Sequence, residues 1–412
     1  MIKASEFCKR VFDGTHDTPK PVSNGYKLLT SKHIMNNYLD TDSAYYISEE
    51  DYNEINKRSQ VRKWDVLFSM IGSVGAVYLV TEDKIDFAIK NMGVFSCEEE
   101  YRAKWLFFYL QSPYAQNIIR NYLNGAVQKF IPLGMLRDFP IPEMEKKDKQ
   151  VVDLLWEINQ KMINNDAICF ELEEMAKTIY DYWFLQFEFP NEEGKPYKTS
   201  GGKMVWNEEL KRKIPYMWTC GQVCDLGEIV AGGTPSTKHD DYYTKHGIAW
   251  ITPYDLSNTN DKYIAYGERD ITEKGLRNSS AKLMPKGTVL LTSRAPIGYL
   301  GIAVNELCTN QGFKSIVPNE KYGSEFIYYT IYSMLPLIKS LGTGSTFTEI
   351  SKEVVSNIKI VLPNQNVIRA FEKVVQPMAQ QREILEKENQ ELTSLRDFLL
   401  PLLMNGQVSF KE

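Results

Sequence analysis

From residue 144 to 187 the chain has neither proline nor glycine, and its apolar residues return every seven positions. Val151, Ile158, Leu172 and Ile179 fall on one line, and Leu154, Ile168, Met175 and Tyr182 on another. Leu155, Met162, Cys169, Ala176 and Trp183 widen the two lines into a helix-bundle face. At 1.5 Å per residue the stretch predicts a rod of roughly 60 Å. The pattern returns near the end of the chain. At an offset of 220, Phe371, Met378, Leu385, Leu392 and Leu399 repeat the first line, and Val374, Leu395 and Leu402 the second. Pro377 is expected near the start of this helix or at a bend, with Pro401 and Asn405-Gly406 closing it.

Outside these rods the pattern breaks into short apolar runs and turns, and the runs themselves repeat. Leu29-Thr30 answers to Ile251-Thr252, Trp64–Gly75 to Gly287–Gly298, the run ending at Ser112 to that ending at Ser333, and Gly125 to Gly344. The order is kept and the offsets stay between 219 and 223. Several collinear blocks point to duplication of one domain plus one helix, since the period is too long for a solenoid. Tyr26–Ile34 and Trp64–Gly72 read as buried strands, and Glu99–Tyr122 as a helix with Leu106, Leu110, Ile118 and Ile119 inside. Residues 187–215 have the Pro, Gly, Lys and Glu content of a connector, with Tyr197 and Trp206 packing on something. In the second copy, LGEIVAGGTPS is expected to be the opening turn.

These signals divide the chain into a mixed α/β domain (1–143), a long helix with connector (144–212), a second α/β domain (213–363) and a terminal helix (364–412). Basic and acidic residues number 17 and 18 in the first domain and 15 and 14 in the second, but 10 and 14, and 6 and 7, in the helical segments. Neutral domains and acidic helices argue against unspecific attraction to a polyanion and leave room for a local basic surface. No run of eighteen apolar residues occurs and the N-terminus lacks a signal-peptide core, so a cytoplasmic protein without a membrane span is expected. The six cysteines are scattered, and Cys220/Cys224 lacks a second pair at zinc-finger spacing, so no metal is expected.

An enzyme of this length should show its chemistry. There is no phosphate-binding G-x-x-x-x-G-K-[ST], no Gly-x-Gly nucleotide turn after a strand, no His-Glu-x-x-His and no G-x-S-x-G. Thr252–Leu256 (TPYDL) faintly echoes an amino-methyltransferase motif but lacks the Asn that would hold the target amino group. Neither catalysis nor a cofactor is expected.

The first domain opens with GTHDTP (Gly14–Pro19) and the second with GGTPS (Gly232–Ser236). The central helix ends in AKTIYDYWFLQFEFP (Ala176–Pro190), followed by NEEGKPYKTSGGKMVWNEELK. Over nearly its whole length the chain resembles the specificity subunit of type I restriction–modification enzymes. The resemblance implies an α+β fold: two pseudo-repeated α/β target recognition domains separated by two long antiparallel, coiled-coil-like spacer helices. It implies a non-catalytic subunit in which each domain reads one half of a split, asymmetric site on double-stranded DNA. The helices would set the spacing and dock two methyltransferase (modification) subunits, joined by restriction/translocase subunits in the full complex.

Base edges are read by Arg, Lys, Asn, Gln, Ser or Thr on loops stiffened by a scaffold. The candidates are Thr15, His16, Lys32, His33, Ser69, Lys90, Gln128 and Lys129 in the first domain. In the second they are Thr234, Ser236, Tyr254, Ser293, Arg294, Lys314, Ser345 and Thr346. Arg294 follows a strand and precedes Ala295-Pro296-Ile297-Gly298, a turn able to hold a guanidinium outward; a salt bridge to a nearby carboxylate is its alternative role. A stand-alone DNA-binding regulator and a non-catalytic scaffold remain the alternatives for the chain as a whole.

Overall fold

The computed structural model describes residues 1–35, 38–124, 130–145, 148–294, 296–343, 348–404 and 407. It divides into two compact units, Met1–Asn164 with Asn389–Glu412, and Asn165–Glu388.

In the first unit Arg10–Asp13, Met92–Ser96, Asp65–Ser69 and Val77–Leu79 lie side by side in that order. A smaller sheet sets Tyr46–Ile47, Tyr26–Thr30 and Phe87–Lys90 together, the last pair parallel. Every residue of Asp65–Ser69 is buried, as expected of an interior strand covered on both faces. Gly72 (φ +79°) and Gly75 (φ +95°) form the turn after this strand. Ile2–Lys3 pairs with Pro140–Ile141, drawing the two ends of the domain together.

The second unit repeats this plan. Gly227–Ala231, Lys314–Pro318, Val289–Ser293 and Ile297–Ala303 are ordered as in the first sheet, with Tyr263–Ile264 added at the edge. A smaller sheet again holds one parallel pair, Ile248–Ile251 with Cys308–Thr309. Thr219–Gln222 pairs with Lys359–Leu362 as the closing strands. The fold is thus α+β, with two pseudo-repeated α/β domains and two long helices.

Sequence reading is corrected at four places. The helix expected over Glu99–Tyr122 is two, Glu100–Gln111 and Pro113–Asn124, because the residue before a proline is held extended (Ser112, ψ 149°). Gly227–Ala231 is a strand rather than a turn; the turn starts at Gly232, where a Cβ would lie 2.0 Å from the Asn310 carbonyl oxygen. In the connector Tyr197 packs as expected, but Trp206 does not, being 54% exposed on a hairpin strand. Phe189 stacks on Trp218 (4.8 Å) and Tyr197 (4.6 Å), and Met204–Asn207 forms a hairpin with Arg212–Pro215. The terminal helix runs unbroken from Gln365 to Met404, through both Pro377 and Pro401. Asn405 and Gly406 lie outside the described residues.

The central helix spans Asp148–Tyr180 and ends in a wider turn of π type, Asp181–Leu185. Within the second unit it pairs antiparallel with the terminal helix. Asn165 Nδ2 donates to Glu388 Oε2 (2.8 Å), Arg382 Nη1 meets Glu173 Oε2 (2.6 Å), and Tyr180 packs on Phe371. Within the first unit Asn389 Nδ2 donates to the Met162 carbonyl (3.4 Å), and Leu155 shares a buried cluster with Leu400 and Leu403.

Candidate nucleic-acid interface

In both domains the turn between the last strand of the small sheet and the next strand of the large one gathers the candidate side chains. In the first domain that turn is Asn91, held at φ +52°. The His16 ring spans Asn91 Oδ1 (2.8 Å) and Asp13 Oδ2 (3.2 Å), and Asp13 also receives Arg58 (2.9 Å). Thr15 N donates to the Ile89 carbonyl, and Lys90 Nζ donates to Thr18 Oγ1. Ser31 Oγ donates to the Asn91 carbonyl (3.0 Å), which ties the short Ser31–His33 turn, with exposed Lys32, to the same spot. Thr15, His16, Lys32 and Lys90 thus share one neighbourhood.

In the second domain the turn is Asn310–Gly312. Thr234 Oγ1 donates to Gln311 Oε1. The Gly312 carbonyl accepts from Ser293 N (2.7 Å) and Ser293 Oγ (3.1 Å). Lys314 Nζ reaches Ser293 Oγ (3.2 Å) and Glu349 Oε1 (3.4 Å), and Arg294 Nη1 lies 3.6 Å from Glu349 Oε2. The GGTPS turn is fixed by Trp250 Nε1 donating to the Gly233 carbonyl and the Tyr243 hydroxyl to that of Pro235. Ser236 is exposed at the end of that turn, and Tyr254 is 63% exposed on the short helix Pro253–Ser257.

Four candidates are withdrawn from the surface. Ser69 and Ser293 are fully buried and donate to backbone carbonyls, and Lys314 is held under Glu349. His33 is buried and its Nδ1 accepts the Thr30 N–H at 2.7 Å, doing for that turn what Asp255 does for Thr252. Burial pushes the His33 pKa down. Gln128, Lys129, Ser345 and Thr346 lie outside the described residues. Sequence reading missed Asn91, Gln311 and Glu349. For Glu349 a signal existed, since the offset of 219 that joins Gly125 to Gly344 also sets it against Phe130. Among the described residues no group of His, Cys, Asp and Glu could hold a metal ion, and no helix is long and apolar enough to cross a membrane.

Residues 215–394 match the profile of the type I restriction modification DNA specificity domain. The MjaIX specificity subunit of Methanocaldococcus jannaschii is 41% identical over 203 residues, which are 46% of this chain and 47% of that one. Residues 215–394 thus carry a type I restriction modification DNA specificity domain, and the relatives matched are type I restriction enzyme specificity subunits. The HindI specificity subunit of Haemophilus influenzae aligns at 22% identity over 85% of this chain and 88% of its own. The alignment thus spans about half the length of the first relative and most of the second. The type I specificity-subunit structure from M. genitalium superposes with a TM-score of 0.54 at 16% identity, covering 96% of this chain and 93% of that one. That likeness extends the shared fold over both domains and both helices.

Proposed function

We propose that this specificity subunit reads a bipartite, asymmetric site on double-stranded DNA, one half-site per α/β domain. The observation that carries the reading is the duplication: the same sheet order, parallel pair and closing strands occur twice, each copy followed by a long helix. A duplicated reader suits two half-sites about one turn of DNA apart or a little more, roughly 34 Å. The exposed and half-buried candidates Thr15, His16, Lys32, Lys90, Thr234, Ser236, Tyr254 and Arg294 supply donors and acceptors on turns, strand ends and a short helix. Gln128, Lys129, Ser345 and Thr346, outside the described residues, remain proposed contacts from the sequence alone.

The helices act as spacer and as docking surface for two methyltransferase subunits, with restriction/translocase subunits completing the assembly. Exposed apolar residues on the central helix, Ile168 and Met175 one heptad apart on the same side, supply a face for partner helices. The subunit itself is non-catalytic and works in the cytoplasm. Replacing 1–143 with the corresponding domain of a relative tests the reading. The methylated sequence should change in one half-site only, and a change in both halves would overturn independent reading.

A further inference from the structure

In each domain, the segment leaving an interior strand of the large sheet meets, across one antiparallel bridge, the segment that returns toward the closing strand. Ile71 bridges Phe130 in the first domain, and Arg294 bridges Glu349 in the second. The adjoining backbone bonds agree: Ile131 N donates to the Met70 carbonyl (3.1 Å), and Ile350 N to that of Ser293 (3.0 Å). Ile71 and Arg294 therefore occupy one position of the duplicated fold, and Phe130 and Glu349 another. Sheet register adds a third. Ser69 pairs with Met92 and Thr292 with Phe313, so the next residues along, Gly93 and Lys314, also correspond.

The chemistry at these matched positions is opposite. In the second domain two cations share one carboxylate, Arg294 at 3.6 Å and Lys314 at 3.4 Å. The Lys314 side chain is only 9% exposed and neutralises Glu349 from the interior, which leaves one net positive charge, borne by Arg294 at 34% exposure. A separation of 3.6 Å is longer than the roughly 2.7–2.9 Å of a strong charge-assisted bond, so the guanidinium keeps donors to offer. In the first domain none of the three residues is charged. Ile71 is 48% exposed, and Gly93 has no side chain because Leu136 Cδ1 would lie 2.5 Å from its Cβ.

An oriented guanidinium matches the paired O6 and N7 acceptors of guanine, and an exposed branched aliphatic matches the methyl group of thymine. We propose that this bridge position determines specificity in both domains, selecting guanine through Arg294 in one half-site and a thymine methyl through Ile71 in the other. Glu349 is a positioning residue that aims Arg294 and, with Lys314 behind it, leaves its charge available. The inference rests on the DNA-reading function proposed above and names the residues through which it works.

The test uses the full chain assembled with its methyltransferase subunits and maps methylated sites in a randomised DNA library. Arg294→Met should lose preference for guanine at one position of one half-site by about tenfold, with the other half-site and the spacing unchanged. Arg294→Lys keeps the charge and most of the length but not the planar fork, and should relax the same position. Glu349→Gln should weaken that preference while Glu349→Asp retains it. Ile71→Arg combined with Phe130→Glu should alter one base of the opposite half-site. If both Arg294 variants assemble, methylate and keep every base preference, the inference is overturned. A wild-type complex that methylates without any defined sequence would instead overturn the underlying function, and that is read before any variant is made.

Discussion

Glu372 on the terminal helix accepts the backbone N–H of Phe326 at 2.8 Å, and so caps from outside the helix Ser324–Ser333 of the second domain. The Ncap residue of that helix is Gly323, where an added Cβ would lie 2.0 Å from the Glu372 carboxyl group. Glycine is required there to admit the carboxyl group. One side chain thus fastens the domain to its spacer while satisfying a helix terminus.

Burial, and the nearby charge of Glu325, push the Glu372 pKa up from 4.5 to about 7. Between those values the folded chain holds a proton that the unfolded chain has released, so stability falls as pH rises through the window and levels off above about 7. Glu372→Gln keeps an oxygen acceptor for Phe326 and removes the charge. It should flatten this slope and stabilise the protein above pH 7 by on the order of 2 kcal/mol. Urea melts of both proteins from pH 5 to 8 measure it; parallel slopes would refute the assignment.

A buried ionic network lies beside this cap. Lys262 Nζ meets Glu325 (2.7 Å), Glu173 (3.3 Å) and the Tyr329 hydroxyl (3.0 Å). Arg382 pairs with Glu173 and with Glu386, both at 2.6 Å, and Glu386 accepts the backbone N–H groups of Lys262 and Tyr263. Removing one partner strands the others, so Arg382→Met should cost roughly 3–5 kcal/mol. Adding Glu173→Met to that variant should recover part of the loss, because one of the stranded charges is then gone. A double-mutant cycle by chemical denaturation checks the sign of the coupling.

The long helices and the duplication were legible because they rest on local periodicity and on collinear blocks such as Trp64–Gly75 and Gly287–Gly298. The ionic network was not, because its members are remote in sequence: Lys262 is 89 residues from Glu173, and Arg382 is 209. Nor does the repeat predict it. Glu325 holds the position of Lys104 in the first domain, where the buried ammonium instead lies 4.2 Å from the Trp156 ring and pairs with Glu100. Duplicated folding preserved the helix and let its charge reverse. The burial of Ser69, His33, Ser293 and Lys314 was not legible for a related reason. Ser, His and Lys on turns serve the backbone as readily as a ligand, and only burial separates His33 from Lys32.

His33 gives a prediction opposite in sign to Glu372. Its Nδ1 must stay unprotonated to accept the Thr30 N–H, and burial lowers its pKa below 6.5. Below 6.5 the unfolded chain binds more protons than the folded one, so this contribution is complete above that pH and is lost as pH falls. His33→Asp, which imitates Asp255 in the second domain, should preserve the turn and remove this acid sensitivity. His33→Ala should cost about 1 kcal/mol, the usual worth of a cap. Thermal melts at pH 5 and 7.5 distinguish the two variants.

The last prediction concerns the spacer. Inserting four residues between Asn164 and Asn165 lengthens the central helix by roughly 6 Å and rotates its C-terminal half by only about 40°. Alone, the insertion sets the Asn165–Glu388 and Met162–Asn389 contacts out of step, so stability should fall. A matching insertion between Glu388 and Asn389 lengthens the antiparallel partner at the same level and lets both contacts form again. The doubly inserted chain should therefore assemble with its methyltransferase subunits and methylate half-sites separated by about two more base pairs, at roughly 3.4 Å each. Two-residue insertions at the same two points are the control. They swing the apolar faces by roughly 160° and should prevent assembly even when paired. Methylated-site mapping of the doubly inserted complex decides the matter: normal assembly with the original spacing would mean that the helices are not the ruler.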